Sequence, residues 1–393
     1  MKRRPSRRIS ELPPYLFARI DELKAEQRAK GVDLIDLGIG DPDLPTPPHI
    51  RAALKTAVDD PTTHRYPAYA GTRELRSALA SFYQRRFGVE GLDPDTEVLV
   101  LIGSKEGIAH FPVAFVDPGD LVLVPDPGYP VYATTTRFCG GEVHYLPLRR
   151  ENGFLPDLEA IPREIASRAK ILWVNYPNNP TAALASRRFY ERVVSFAREH
   201  GIIVASDLAY SEVYFDEAKA PPSFLSVPGA REVGIEFYSL SKTYNMTGWR
   251  VGFAVGNREL IAGLAKVKTN VDSGAFEAIQ RAATVAITGD QLCVAEMRRI
   301  YRERRDILCG GLAALGFEVL SPNATFYSLV AVPTSSTSIE FAMKVLAETG
   351  VVVTPAVGFG SQGEGFIRLT LCADQTRLQE AVERLAKLAP SPT

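Results

Sequence analysis

The chain has 393 residues, which suggests about two domains, since domains typically run to about 100–200 residues. Apolar residues make up 46% and charged residues 23%, with a net charge of −1, so nothing in the composition favours nucleic acid or an anionic membrane. The four cysteines (139, 293, 309 and 372) and five histidines lack disulfide or metal-ligand spacing, so reduced cysteines and no zinc site are expected.

The chain opens on a basic octet, Met1 to Arg8, followed by Ile9-Ser10-Glu11-Leu12-Pro13-Pro14. That segment is too short and too proline-rich for a signal peptide, and no run of 18 apolar residues follows anywhere. A solvated tail and a cytoplasmic protein are expected. From about 95 to 256, short apolar runs alternate with helical patterns. The runs are Val98–Ile102, Leu121–Val124, Ile171–Asn175, Ile202–Ser206, Glu236–Leu240 and Val251–Val255. Val, Ile and Leu without polar alternation suit strands buried on both faces. The pattern predicts an α/β fold, a mainly parallel sheet sandwiched by helices such as Ser186–His200. Ligands of such sheets bind beyond the strands' carboxyl ends. Next comes a helical stretch, Ala275 to Leu315, with a break at Thr288-Gly289-Asp290. Strand-like segments at Thr325–Val332, Val351–Thr354 and Gly365–Leu371 follow, with helical patterns at Ser338–Thr349 and Gln375–Leu388. The expected division is a large domain at 46–290, and a smaller α+β domain formed by 1–45 and 291–393.

Six stretches carry chemistry. In Ser239-Leu240-Ser241-Lys242, a lysine stands just beyond a buried strand. A desolvated amine loses basicity and becomes a nucleophile toward aldehydes. The hydroxyls of Ser239 and Ser241, with Arg250 nearby, suit a phosphate. Taken alone, Lys242 would be an ordinary loop lysine. In Asn175-Tyr176-Pro177-Asn178-Asn179-Pro180-Thr181, Asn179 could donate to a phenolic oxygen. In Ser206-Asp207-Leu208-Ala209-Tyr210, Asp207 could keep a pyridine nitrogen protonated and Tyr210 could donate to the same phenolic oxygen. Asp207 also reads as a helix N-cap. Ile102-Gly103-Ser104-Lys105 is a strand-to-helix turn with free N–H groups for an anion. Tyr129 could stack on a flat ring or simply pack. Arg368, in an otherwise apolar strand, needs an anion, either a substrate carboxylate or a structural partner.

In this order, the six stretches resemble the class I/II aminotransferases of pyridoxal-phosphate (PLP) fold type I, from about Tyr15 to Leu388. The resemblance implies pyridoxal 5'-phosphate as cofactor, held as a Schiff base by Lys242, with Asp207 on the pyridinium and Asn179 and Tyr210 on the phenolic oxygen. Tyr129 would stack on the ring. Ser104, Lys105, Ser239 and Arg250 would hold the phosphate, joined by Tyr66 from the neighbouring subunit of a homodimer. Arg368, helped by Asn179 and Gly40, would grip the substrate α-carboxylate. Lys242, Asp207 and Tyr210 would be the catalytic residues.

Narrower runs, among them Leu37-Gly38-Ile39-Gly40-Asp41-Pro42-Asp43 and Thr269-Asn270-Val271-Asp272-Ser273-Gly274, resemble the LL-diaminopimelate aminotransferases of lysine biosynthesis. These exchange LL-2,6-diaminopimelate and 2-oxoglutarate with tetrahydrodipicolinate and glutamate. Tyr15 and Ser273 would then face the far end of the substrate. The chain departs from the pattern at Tyr69, where plant members have glutamate, and at Ala182, where the broad family has glycine. Other readings are an aminotransferase for alanine, aspartate or aromatic acids, a β-lyase on the same scaffold, and a non-catalytic PLP-binding sensor module.

Overall fold

The computed structural model describes residues 5–10 and 17–390. Its centre is a seven-stranded sheet. The first strand of the chain, β1 (Ile35–Asp36), lies outside it. The sheet consists of β2 (Val98–Leu101), β3 (Leu121–Asp126), β4 (Glu142–Pro147), β5 (Ala169–Asn175), β6 (Ile203–Asp207), β7 (Gly234–Ser239) and β8 (Gly252–Gly256). Their order is β2-β8-β7-β6-β5-β3-β4. The pairs among β3 to β7 are parallel, and β8 runs antiparallel to both of its neighbours. The expected α/β sandwich is therefore observed, with one reversed strand.

All but β4 are buried along nearly their whole length because both faces are covered. Leu99, Leu101, Trp173, Ala205 and Phe237 face a core closed by the helices Ser104–Phe115 and Arg258–Val271. Val98, Val100, Leu172, Val174 and Tyr238 face the opposite, larger core. The edge strand β4 was not anticipated. It is mostly half-buried or exposed, so its sequence lacks the apolar run that marks its neighbours. The helix Arg187–His200 starts where Ser186 accepts the Phe189 N–H and ends at the left-handed Gly201.

Beyond the large sheet, β9 (Val319–Leu320), β10 (Tyr327–Ala331), β12 (Thr354–Pro355) and β13 (Phe366–Thr370) form an antiparallel sheet. The expected single strand at 351–354 is divided. β11 (Val351–Val352) turns away to pair in parallel with β1, and Thr354–Pro355 joins β13. The N-terminal segment thus packs on C-terminal elements, and the helix Phe17–Ala29 lies against the helix Ser338–Thr349. The helical stretch after the large sheet breaks as expected, into Glu277–Thr288 and Leu292–Ala314.

Candidate active site

Register brings the carboxyl ends of the strands to one edge. Asn175 pairs with Asp207, Asp207 with Phe237, and Ser239 with Gly252. Because β8 is reversed, the chain leaves β7 at this edge, carries Lys242 and Arg250, and re-enters β8 at the same edge. A cavity of about 600 Å³ opens here. Its wall includes Ser104, Lys105, Tyr129, Asn179, Asp207, Tyr210, Ser239, Lys242, Arg250 and Arg368, together with Gly40.

The far wall is an extended strap, Asp36 to Asp43. It is anchored by an ion pair at each end: Lys24 donates to Asp36 at 2.6 Å, and Arg304 makes a two-pronged contact with Asp43 at 2.7 Å on both nitrogens. Between the anchors, the strap turns two carbonyls toward the cavity. Gly38 O accepts from Arg368 Nη2 at 2.8 Å, and Gly40 O accepts from Lys242 Nζ at 3.1 Å. Gly40 must be glycine, since a Cβ there would meet the Tyr327 hydroxyl at 1.9 Å.

Three groups give the cavity its chemistry. Burial lowers the pKa of the Lys242 amine, which moves it toward the nucleophilic neutral form. Asp207 is buried, and its partners are neutral: Tyr132 OH donates to Oδ2 at 2.6 Å and the Ala209 N–H to Oδ1 at 3.3 Å. Desolvation lifts its pKa to about 6, with the Tyr132 hydrogen bond opposing. Arg368 is also buried. Its Nη1 donates to Asn179 Oδ1 at 2.8 Å, and its Nε has no partner. Tyr327 and Phe359 flank the guanidinium, at 4.1 and 4.5 Å from their ring centroids. Among the described residues, neither Asp207 nor Arg368 has an ion-pair partner. The structural-salt-bridge reading of Arg368 therefore falls away, and Asp207 ends a strand rather than capping a helix. A buried carboxylate wanting a cation, and a buried guanidinium wanting an anion, fit a ligand that carries both.

The phosphate side also fits. Gly103, at φ +76°, begins the helix Ser104–Phe115, and a Cβ on it would meet Arg250 Nη2 at 2.4 Å. Arg250 itself is left-handed, at φ +54°, and is tied to Thr247 O at 2.8 Å. Ser239 Oγ accepts the Ser241 N–H at 3.2 Å. Tyr129 packs edge-on to Tyr132, with 5.6 Å between centroids, leaving its ring on the cavity wall. Ala182 occupies a left-handed position, φ +60°, which explains why glycine is the easier residue there.

Two expected residues lie away from this chain's own cavity. Tyr66 is 91% exposed, and Ser273 sits in a turn beyond the helix Arg258–Val271. Tyr15 lies outside the described residues. Sequence reasoning gave no role to Tyr132, Asn175, Tyr327 or Gly38. Asn175 holds the site's floor: its amide donates to Asp207 O at 2.8 Å, and its Oδ1 accepts the Asn179 N–H at 3.0 Å. Tyr327 OH lies 3.1 Å from Tyr210 OH. The only local signal was spacing, with Tyr132 three residues after Tyr129.

The raised pKa of Asp207 makes a prediction for the cofactor-free protein. The folded state holds this proton more tightly than the unfolded chain does, with a pKa of about 6 against 3.8. Stability is therefore lost as pH rises from about 4 to about 6, by about 3 kcal/mol. Asp207→Asn removes this loss and keeps an acceptor for Tyr132. Its stability advantage, measured by denaturant melts, should grow across that window and level off above it. A constant difference from pH 4 to 8 would contradict the assignment.

A family model described as "Aminotransferase class I and II" matches residues 32–385. The LL-diaminopimelate aminotransferase of Syntrophobacter fumaroxidans is 58% identical over 382 residues, 97% of this chain and 98% of that protein. The LL-diaminopimelate aminotransferase of Aquifex aeolicus is 54% identical over 383 residues, 98% of each. Among solved structures, substrate-bound BacF from Bacillus subtilis superposes with a TM-score of 0.93 at 40% identity, covering 99% of this chain and 98% of that one. Fold, cavity and these likenesses agree, and the chain belongs to the class I and II aminotransferases.

Proposed function

We propose that the protein is a pyridoxal-phosphate enzyme that transaminates LL-2,6-diaminopimelate with 2-oxoglutarate, giving tetrahydrodipicolinate, glutamate and water, in lysine biosynthesis. One observation carries the cofactor reading: a single cavity holds a desolvated lysine, an un-neutralised buried carboxylate and a phosphate-sized cluster of Ser104, Lys105, Ser239 and Arg250. The substrate reading rests on relatives 54–58% identical over nearly the whole chain that carry the name LL-diaminopimelate aminotransferase. The reaction is reversible and belongs with other cytoplasmic amino-acid chemistry.

When bound, the cofactor supplies an aldehyde that captures the substrate amine and a protonated ring that withdraws electrons from the α-carbon. The protein's own residues do the rest. Arg368 exchanges the neutral Gly38 carbonyl for the α-carboxylate, with Asn179 and the Gly40 backbone beside it. Lys242 Nζ, held by Gly40 O, would be placed to take the proton from the substrate's α-carbon and to deliver it to the cofactor's aldehyde carbon. Asp207 would keep the ring nitrogen protonated, and Asn175 and Tyr132 hold Asp207 in place. Tyr210 and Asn179 would donate to the phenolic oxygen, and Tyr129 would cover the ring.

A homodimer with shared sites is part of the proposal. Tyr66 cannot serve a site in its own chain from an open surface, and Tyr69, Val271 and Phe276 are exposed with it. Tyr66 would reach the partner's phosphate, and Tyr15 and Ser273 the far end of the substrate.

The test is turnover by purified protein. LL-diaminopimelate with 2-oxoglutarate should be used in preference to alanine and aspartate. Absence of diaminopimelate turnover, with robust turnover of another amino acid, would overturn the substrate and leave the aminotransferase.

A further inference from the structure

Lys268 is a lysine with no exposed surface, in the last turn of the helix Arg258–Val271. Lysine is almost never buried without a partner. Here the ammonium donates to Asp272 Oδ1 at 2.8 Å, to Asp272 Oδ2 at 3.0 Å and to Glu106 Oε2 at 3.4 Å. Glu106, Asp272 and His110 bring their ligating atoms within 4.8 Å of one another. The cation among these groups is the chain's own ammonium.

Each carboxylate has a second task. Glu106 Oε2 also accepts the Ile102 N–H at 3.0 Å, across the turn that leads into Gly103 and Ser104. Its Oε1 lies 2.8 Å from His110 Nδ1, one helical turn on. Asp272 Oδ1 also accepts the Gly274 N–H at 2.7 Å. Gly274 is left-handed, at φ +88°, and a Cβ there would come within 3.2 Å of Ala68 O, next to the exposed Tyr69. Lys268 therefore joins two turns far apart in sequence, one beside Arg250 in the cavity and one beside the surface that carries Tyr66.

We propose that Lys268 is a positioning residue: its ammonium fixes the 102–104 turn through Glu106 so that the turn's N–H groups and the Ser104 hydroxyl meet a phosphate. The ligand class is the phosphate monoester of an aromatic aldehyde, so the inference rests on the cofactor reading above. Without the ammonium, Glu106 and Asp272 are left as half-buried like charges. They repel, and Glu106 loses its grip on Ile102. The 272–274 turn loosens with it.

The experiment compares two probes on cofactor-free protein, pyridoxal phosphate and pyridoxal, with binding followed by tryptophan fluorescence. The ratio of their affinities isolates the phosphate contribution. In Lys268→Met, the ratio should fall by about tenfold, the scale of one charge-assisted hydrogen bond. Lys268→Gln, which is neutral but keeps a donor, should lie between wild type and Lys268→Met, and it decides the question if the methionine variant does not fold. A helix-to-helix ion pair with no other role would lower the melting temperature and leave the ratio unchanged. An unchanged ratio in every variant that folds overturns the proposal. If the wild type binds both probes equally, the cofactor reading itself fails, which is a separate and recognisable result.

Discussion

Lys242→Ala is expected to reduce transamination by at least about 10³-fold, since positioned proton transfer contributes about 10²–10⁴-fold and the covalent hold on the cofactor is lost as well. The structure makes this a clean experiment. Among the described residues, the polar contact of Lys242 Nζ is a single hydrogen bond to Gly40 O, so its removal leaves no buried carboxylate there unpaired. Asp207, Arg250 and Arg368 keep their own partners. Cofactor should still bind non-covalently, and borohydride reduction should no longer attach it to the chain. Peptide mass analysis of the reduced wild type should find the adduct on the peptide that contains Lys242. A small primary amine added to the variant should restore part of the activity, because it replaces the missing base. If the alanine variant still yields a reduced covalent adduct, Lys242 is not the attachment point.

The second large effect is expected at Arg368. Its guanidinium is desolvated, flanked by two aromatic rings and, among the described residues, hydrogen-bonded only to neutral oxygens. Truncating one partner of a buried, hydrogen-bonded charge pair costs about 2–5 kcal/mol. Arg368→Ala should therefore lower kcat/KM for amino acids by about 30- to 4,000-fold. Arg368→Lys should fall well short of wild type, because an ammonium cannot span Asn179 and a carboxylate in one plane. Cofactor affinity should be nearly unchanged in both. The diagnostic control is a primary amine that lacks a carboxylate, whose slow reaction should be insensitive to either change. Equal losses for the amine and the amino acid would assign Arg368 a structural role instead.

The sheet was legible because burial on both faces writes a continuous apolar run into each inner strand. The edge strand Glu142–Pro147 lacked that signature, since water meets much of its surface. Direction was not legible either: Gly252–Gly256 is as apolar as its neighbours but runs the other way. The residues at the strand ends were legible because polar groups there interrupt apolar sequence, and the resemblance of the whole series gave them roles. What escaped was contact between distant positions. Tyr132 lies 75 residues from Asp207, Tyr327 lies 117 from Tyr210, and Lys268 lies 162 from Glu106. No local pattern encodes such partners. Lys268 in particular reads as one more polar residue on an amphipathic helix until its burial is seen.

The reversed strand has a consequence for how such a protein can vary. Lys242 and Arg250 lie on one connection whose two ends are pinned to adjacent strands at the same rim. Insertion or deletion within that connection would displace both residues at once. The strap at 36–43 and the wall at 352–368 reach the cavity from other parts of the chain, anchored by separate ion pairs and strands. Drift in substrate preference can therefore accumulate on the strap and its neighbours while the reacting centre is inherited as a block. A new specificity is best sought by altering residues such as Ile20, Ile39 and Asp41 on the cavity's outer wall, with the 239–250 segment left intact.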